Sequence, residues 1–424
     1  MWFKLSGDCA NPDLRAIYFE NVRNELRVAD GRPLIIDGMK KIDGAHLDFE
    51  PGKPSCTKSL SVEHLEILLG LRCNFDCEYC SQRGIRDQGN DMNPEKARLF
   101  IEHIKAVGMK VSRSIQLWGG EPLVYMKTIR VLVPALREMY PRVPISFPTN
   151  GSLLTKGLVD FFDRYRVAVY VSTDGAPSTE RGRAVEDDPR LNAVYRYAAQ
   201  RMGPRFGFGT TPHEGTANAE KIIRFMTRKV PGTKTVSAHN VIRCHRAGLI
   251  PDSVFAMSER QKDEYHRSVL RVLADPDLRK LDPGLRRHLR WCMARIANGI
   301  DNRTAPGECA MPTDKALVID WEGKLYSCHS HTAMSESIGD LDHIADAKPL
   351  GFTHWSRRPG CAACPWLSSC LGGCPRMGER EHEISCPNLR PLHSAVFISA
   401  FRELFGLEIA RITAEDPPRS VAEL

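Results

Sequence analysis

Three cysteines, Cys73, Cys77 and Cys80, lie close together in the segment LGLRCNFDCEYCSQR. Thiolates packed into one short loop can hold a four-iron cubane and leave its fourth iron without a protein ligand. An open iron on a low-potential cluster is a place for chemistry as well as for electron storage. A second field follows: Cys309, Gly323 and Cys328, then Cys361-x2-Cys364-x5-Cys370-x3-Cys374, and finally Cys386. Paired Cys-x2-Cys steps also suit tetrahedral zinc, so residues 361 to 386 taken alone leave zinc and iron both open. The Cys73 run favours iron in both fields, because a chain matured with one cubane has access to cluster assembly. Cys9, Cys56, Cys244 and Cys292 are left over and read as core or incidental thiols. His329 follows Cys328 in YSCHSHT, with His331 after it, and an imidazole there can take a proton near neutral pH.

These residues need elements to position them. Leu65 to Leu71 is an apolar stretch that reads as a strand ending at the cysteine loop. Asn93-Pro94 caps a helix that buries Ala97, Phe100, Ile101 and Ile104 and stops at Gly108. Ser114 to Leu117 runs as a strand into WGGEP, Ile145 to Phe147 into TNG, and Val167 to Val171 into STDG. Phe206 to Thr210 and Val236 to Ile242 read as two further strands. Strand–helix alternation with the informative residues at strand C-terminal ends is the logic of a parallel α/β barrel. Residues 260 to 299 read as helical: Asp282-Pro283 starts one helix and Gly299 stops it. Leu285, Leu289, Cys292, Met293 and Ile296 form its buried stripe. Ser394 to Phe405 reads as another helix, and the acidic end after Ala414 as a loose tail. Before the barrel, residues 1 to 62 carry short β runs at Trp2 to Leu5, Ala16 to Phe19, Leu26 to Val28 and Leu34 to Ile36. Asp30-Gly31 is a hairpin signal between the last two, and the whole reads as a small β appendage closing one barrel end.

With WGGEP (118 to 122), TNG (149 to 151) and STDG (172 to 175) in order behind the cysteine loop, the chain resembles the radical S-adenosylmethionine (SAM) enzymes. The second cysteine field and the LGGCP wording around Cys374 resemble the SPASM extension of the peptide-modifying members. Together they span roughly residues 65 to 390. The resemblance implies a partial (β/α)6 TIM-like barrel with a small N-terminal β appendage and a C-terminal auxiliary-cluster domain. The expected boundaries are 1–62, 63–295, 296–392, and 393–424 for a helix and tail. It implies a [4Fe-4S] cluster on Cys73, Cys77 and Cys80 that chelates SAM, which on reduction yields a 5′-deoxyadenosyl radical. Gly119 and Gly120 would let backbone approach the methionine end. Glu121 would accept from the SAM amino group, Ser172 would contact the ribose, Asn150 would sit near the same site, and Arg196 is a candidate for the carboxylate. LNAVYRYAAQ fits an amphipathic helix with an exposed arginine equally well. Tyr79 would pack near the adenine or in the core.

By the same resemblance Cys361, Cys364, Cys370 and Cys386 hold an outer auxiliary cluster, and Cys309, Cys328 and Cys374 an inner one. The inner set is one ligand short, since DNRTAPGE before Cys309 has no cysteine; the site is open or takes a carboxylate. Sulfatase-maturating relatives carry an aspartate after the cysteine matching Cys328, where His329 stands here. The implied function is maturation of a ribosomally made precursor peptide by an oxidative side-chain cross-link, with a flavodoxin or ferredoxin as electron donor. Oxidation of a Cys or Ser side chain, epimerisation with Cys9 or Cys244 as hydrogen donor, and a zinc-binding scaffold are the alternatives. The residues before the barrel are too short and too poor in helical periodicity for a winged-helix leader-binding domain.

At 424 residues, with 42% hydrophobic and 26% charged content, the composition is that of a globular protein of about two domains. No apolar run reaches membrane-spanning length, and MWFKLSGDC lacks signal-peptide anatomy, so the expectation is a reducing cytoplasm. The net charge of +7 is modest, and Arg286, Arg287 and Arg290 alternate with apolar positions as on a solvated helix face. That pattern excludes a nucleic-acid stripe.

Overall fold

The computed structural model describes residues 1–34, 57–85, 91–175, 187–244, 250–305, 309–330, 337–349 and 351–417. The expectations for Ile36, Cys56 and His331 lie outside them. The chain opens with β1 (Trp2–Asp8), β2 (Ala16–Glu20) and β3 (Glu25–Val28). The barrel follows as β4 (Ser61–Leu68), α1 (Pro94–Ala106), β5 (Lys110–Trp118), α2 (Met126–Met139), β6 (Ile145–Thr149), α3 (Lys156–Arg164) and β7 (Val167–Ser172). It continues through α4 (Pro189–Met202), β8 (Phe206–Gly209), α5 (Ala219–Lys229) and β9 (Val236–Ser237). Three helices come next, α6 (Glu259–Ala274), α7 (Pro276–Leu281) and α8 (Pro283–Ala297), then β10 (Ala316–Ile319), β11 (Lys324–Tyr326) and β12 (Ser337–Asp340). Last are α9 (Leu367–Cys370), α10 (Glu379–Phe405) and β13 (Glu408–Ala414).

β4 to β9 pair in parallel in chain order, which is the six-stranded partial barrel expected. Alternation divides each strand between two faces. Leu65, Ile67, Ile115, Leu117, Ile145, Phe147, Val169 and Phe208 are buried under the helices. The intervening residues, among them Glu66, Gln116, Trp118, Ser146, Tyr170 and Ser172, face the barrel lumen. The sheet does not end at β4. β10 pairs with β4 in parallel, with Val318 beside Glu66, and β11 and β12 extend it antiparallel. The auxiliary cysteine field is therefore built onto the barrel sheet itself.

Four local expectations are corrected. β9 covers only two residues instead of running to Ile242, because Ala238 N is taken by the Asp282 carboxylate at 2.8 Å and leaves the ladder. The final helix begins at Glu379 and passes through Pro387 and Pro391. Its packing on α6 and α8 overrides the two missing N–H groups, and the helix thereby carries Cys386. Residues 408 to 414 form a strand that pairs with β1, completing a four-stranded sheet in the order β13-β1-β2-β3. Lastly, that sheet does not close a barrel end. Its 21–24 turn docks on the auxiliary field, where Asn21 Nδ2 donates to Ala362 O at 3.0 Å and to Cys364 O at 2.9 Å. Asn24 Nδ2 donates to Ile300 O at 2.6 Å, and Asn302 Nδ2 returns a bond to Asn21 O at 2.6 Å. Among the described residues no helix is long and apolar enough to cross a membrane.

Asp282, fully buried at the N-cap of α8, accepts from Ala238 N, from Leu285 N at 3.0 Å and from His239 Nδ1 at 2.9 Å. Asp282→Ala would leave these donors without a partner in the core. The loss should be about 2–4 kcal/mol in urea unfolding. A change below about 1 kcal/mol would mean that water replaces the carboxylate.

Candidate functional site

The cysteine loop leaves β4 and is fixed first by backbone. Leu69 N donates to Trp118 O at 2.8 Å, Gly120 N to Gly70 O at 3.0 Å and Glu121 N to Arg72 O at 2.9 Å. A Cβ at Gly119 would overlap Gly70 O, and one at Gly120 would overlap the carbonyls of Leu71 and Arg72; Gly119 also has φ +151°. The two glycines are thus required by the approach of the cysteine loop, a closer cause than the contact with SAM expected of them.

The other strand-end motifs are tied to the same loop by side chains. Asn150 Nδ2 donates to Asn74 Oδ1 at 2.7 Å, and Asn74 Nδ2 to Ser152 Oγ at 3.0 Å, which joins TNG to the residue after Cys73. Tyr79, next to Cys80, donates its hydroxyl to Asp174 of STDG at 2.6 Å. Ser172 stands half-buried at the end of β7, two residues before Asp174. Glu121 is turned inward: Oε1 accepts from Leu123 N (2.9 Å) and Thr149 Oγ1 (2.6 Å), and Oε2 from Asn150 N (2.6 Å). Its first role is to hold the WGGEP and TNG ends together. Arg196 lies on the exposed face of α4, the second of the readings its segment allowed.

The auxiliary cysteines fall into two groups. Cys361, Cys364, Cys370 and Cys386 line one cavity, together with His382 and Arg390. Leu371, Gly372 and Gly373 are consecutively left-handed and turn the chain from Cys370 to Cys374; a Cβ at Gly372 would press on Trp355. Arg358 steadies that turn by donating to the carbonyls of Gly372, Cys374 and Met377. Burial, then the charges of Cys386 and Cys364, pushes the Cys361 thiol up to about 11. The charge of Cys386 raises Arg390. The second group comprises Cys309, Cys328 and Cys374. Burial pushes both Cys309 and Cys328 up to about 12, and Cys374 and Glu66 act on both in the same direction. Lys58, buried beside this group, donates to the carbonyls of Met311, Thr313 and Ala316 at 2.7, 2.8 and 2.7 Å and so clamps the loop behind Cys309.

The donor set fits iron–sulfur clusters on one observation. Phe75 N, Met311 N and Ser330 N point at the sulfurs of Cys73, Cys309 and Cys328 at 3.4, 3.4 and 3.5 Å. Backbone donors on thiolate sulfur are one of the means by which a protein tunes a cluster.

His329 lies between the two cysteine fields. Its Nδ1 is 2.7 Å from Glu66 Oε2, and its ring is 4.3 Å from that of Trp118, the last residue before Gly119. Burial works against the imidazolium, but the charge and hydrogen bond of Glu66 outweigh it and hold the pKa above its ordinary value. Cys9 packs against α10, donating to Phe405 O at 3.3 Å, and Cys244 is fully buried beside Ser385. Asn74, Glu66, Lys58 and Arg358 are the residues that sequence reading passed over. Only Glu66, an acid inside the apolar run LEILLGL, left a signal there.

A six-stranded partial barrel with three cysteines at the end of its first strand, and glycine turns closing on them, defines a class. Residues 67–213 match the model of the Radical SAM superfamily, and this part of the chain is a radical SAM domain, the type that uses a four-iron cluster and SAM. Among curated proteins, the radical SAM cyclopropyl synthase TigE of Paramaledivibacter caminithermalis is 30% identical over 135 residues, 28% of this chain and 29% of TigE. A probable GTP 3',8-cyclase of Halobacterium salinarum is 27% identical over 27% of this chain and 32% of its own length. The chain thus spans about a third of the length of the curated relatives it matches. Among solved structures, native anSMEcpe with bound AdoMet superposes with a TM-score of 0.59 at 16% identity, covering 80% of this chain and 99% of that one. Streptococcus suis SuiB gives 0.51 at 15% identity over 74% and 73%. These likenesses show the shared fold.

Gly120→Ala should force the WGGEP turn off the cysteine loop. At least about tenfold weaker SAM binding is expected, with loss of iron from the Cys73 site. Calorimetry and iron analysis on the anaerobic protein check this, and wild-type values would show that the loop yields without cost.

Proposed function

We propose that this chain is a radical SAM maturase of a ribosomally made precursor peptide and closes an oxidative carbon–carbon or carbon–heteroatom cross-link between side chains. The observation that carries the reading is the tilted ring contact of Trp118 with His329 at 4.3 Å, which joins the SAM-motif strand to the residue after Cys328. The lumen wall thereby runs without a break from the radical-generating loop to the second cysteine field. That field would be a SPASM module with an outer and an inner auxiliary cluster. When bound, the cluster and SAM supply a 5′-deoxyadenosyl radical that abstracts a substrate hydrogen.

The residues of this chain divide the remaining work. Asn74 and Tyr79 fix the cysteine loop against the TNG and STDG strand ends, where SAM would lie along Gly119, Gly120, Asn150 and Ser172. Closing a bond after hydrogen abstraction releases one proton and one electron. Glu66 commits Nδ1 of His329, which leaves Nε2 as the ring position open to a substrate proton. Cys309, Cys328 and Cys374 lie on the same wall and would hold the acceptor for the electron, with a flavodoxin or ferredoxin as the external donor. A reducing cytoplasm suits such a set of thiols. Solved anSMEcpe carrying AdoMet and the Kp18Cys peptide, at a TM-score of 0.59, supports a peptide as the substrate class. The contact of the Cys9 thiol with Phe405 O of α10 weighs against Cys9 as the hydrogen donor that epimerisation needs. Oxidation of a Cys or Ser side chain is the second reading, favoured by the fold shared with 99% of anSMEcpe.

Cys73→Ala, Cys77→Ala and Cys80→Ala combined should abolish reductive SAM cleavage; measurable 5′-deoxyadenosine would sink the assignment. With reductant and SAM under anaerobic conditions, the cognate peptide should become lighter by two hydrogens and resist fragmentation between the joined residues. A hydrazine-trapped side-chain aldehyde would favour the second reading, and unchanged mass with one solvent deuterium would favour epimerisation. Colourless protein with stoichiometric zinc would make the chain a scaffold. His329→Ala should slow product formation more than SAM cleavage, and equal losses would leave His329 structural.

A further inference from the structure

We propose that Glu66 is the fourth protein ligand of the cluster held by Cys309, Cys328 and Cys374, giving that cluster one carboxylate-bound, exchangeable iron. The inference rests on the iron–sulfur reading of those three cysteines. Glu66 lies in β4 with only 8% of its surface exposed. Its lateral neighbour on β10 is Val318, and Leu68 is the next residue of β4 on the same face. Val318, Leu68 and Tyr326 form one apolar cluster, and Cys309 packs against it. Cys328 stands two residues beyond Tyr326, on the same side of the chain as β11 ends. Glu66 is therefore a carboxylate between Gln116 of β5 and Val318 of β10, beside the apolar cluster on which Cys309 packs.

A buried carboxylate needs partners for both oxygens. Oε2 has one in His329 Nδ1 at 2.7 Å, and an iron would be the partner of Oε1. A ligating carboxylate is in turn hydrogen-bonded through its other oxygen, which is the arrangement His329 provides. The strongest charges acting on Cys309 and Cys328 are negative and come from the other cysteines and from Glu66. Binding a cluster would deprotonate the three thiols, and the carboxylate would complete the ligand set. Three thiolates and one carboxylate make four ligands for four irons, which resolves the shortage of cysteines before Cys309. An oxygen donor is harder than thiolate and suits iron less well, so this corner would be the one that opens.

The test uses the full chain with Cys73, Cys77 and Cys80 replaced by Ala, so that only auxiliary clusters contribute to the spectra. Wild-type Glu66, Glu66→Gln and Glu66→Cys versions are reconstituted anaerobically and followed by iron analysis and electron paramagnetic resonance during stepwise ferricyanide oxidation. With Glu66 in place, mild oxidation should release one iron per inner cluster and give a three-iron signal. Glu66→Gln should release it faster. Glu66→Cys should suppress the release and shift the cluster's midpoint potential. Identical signals, midpoints and release in all three would overturn the ligand assignment while leaving the clusters in place. A parent protein whose iron corresponds to a single cluster would instead overturn the two-cluster reading beneath it. Should Glu66→Gln fail to fold, the comparison of Glu66 with Glu66→Cys still decides.

Discussion

The arrangement depends on one close approach, in which residues 70–72 lie against the 119–121 turn. Two backbone bonds are made there, from Gly120 N and Glu121 N, and no side chain fits between the segments. That contact sets where the cysteine loop begins and where β5 ends. It therefore also sets where Trp118 can stand, and with it the ring of His329. Asn74 and Tyr79 then bring the third and fourth strand ends to a loop already in position. The site is assembled from backbone outward, and its side-chain contacts refine a geometry that glycine permits.

A second organising pressure is the gathering of thiols away from water, and the two auxiliary groups meet it differently. The outer four have guanidinium groups near them: Arg390 responds chiefly to Cys386, and Arg358, buried where the two groups meet, feels Cys361, Cys370 and Cys386 as well as Cys374 of the inner set. The inner three have a carboxylate as a neighbour, and the nearby ammonium of Lys58 is spent on three carbonyls. Net charge and hydrogen bonds to sulfur are the levers that separate cluster potentials. Two clusters set in such different surroundings would not be electronically equivalent.

Much of this was legible in the sequence where chemistry and periodicity coincide. The barrel strands show apolar residues on one face and polar ones on the other, and the motifs at their ends fall in order. Asn93-Pro94, Asp282-Pro283 and Gly299 mark helix boundaries where capping chemistry puts them. What escaped is long-range. The contacts of Asn74, Lys58 and Glu66 join residues 76, 253 and 263 positions apart, a distance over which local pattern carries no information. β13 was missed because an exposed edge strand needs little apolar alternation. α10 was cut short because two prolines outweigh helical propensity locally and lose to packing globally.

The sheet of β1, β2, β3 and β13 pairs Phe3 with Ala414, so two strands far apart in the order of synthesis share a ladder. Ribosomes add about 5–20 residues each second, which leaves β1 exposed along one side for tens of seconds before its partner emerges. Through Asn21 the same sheet grips the backbone at Ala362 and Cys364. The brace on the outer cysteines thus tightens only after both sides of the β1–β13 ladder have been made, and the clasp closes over thiols that were synthesised before its last strand.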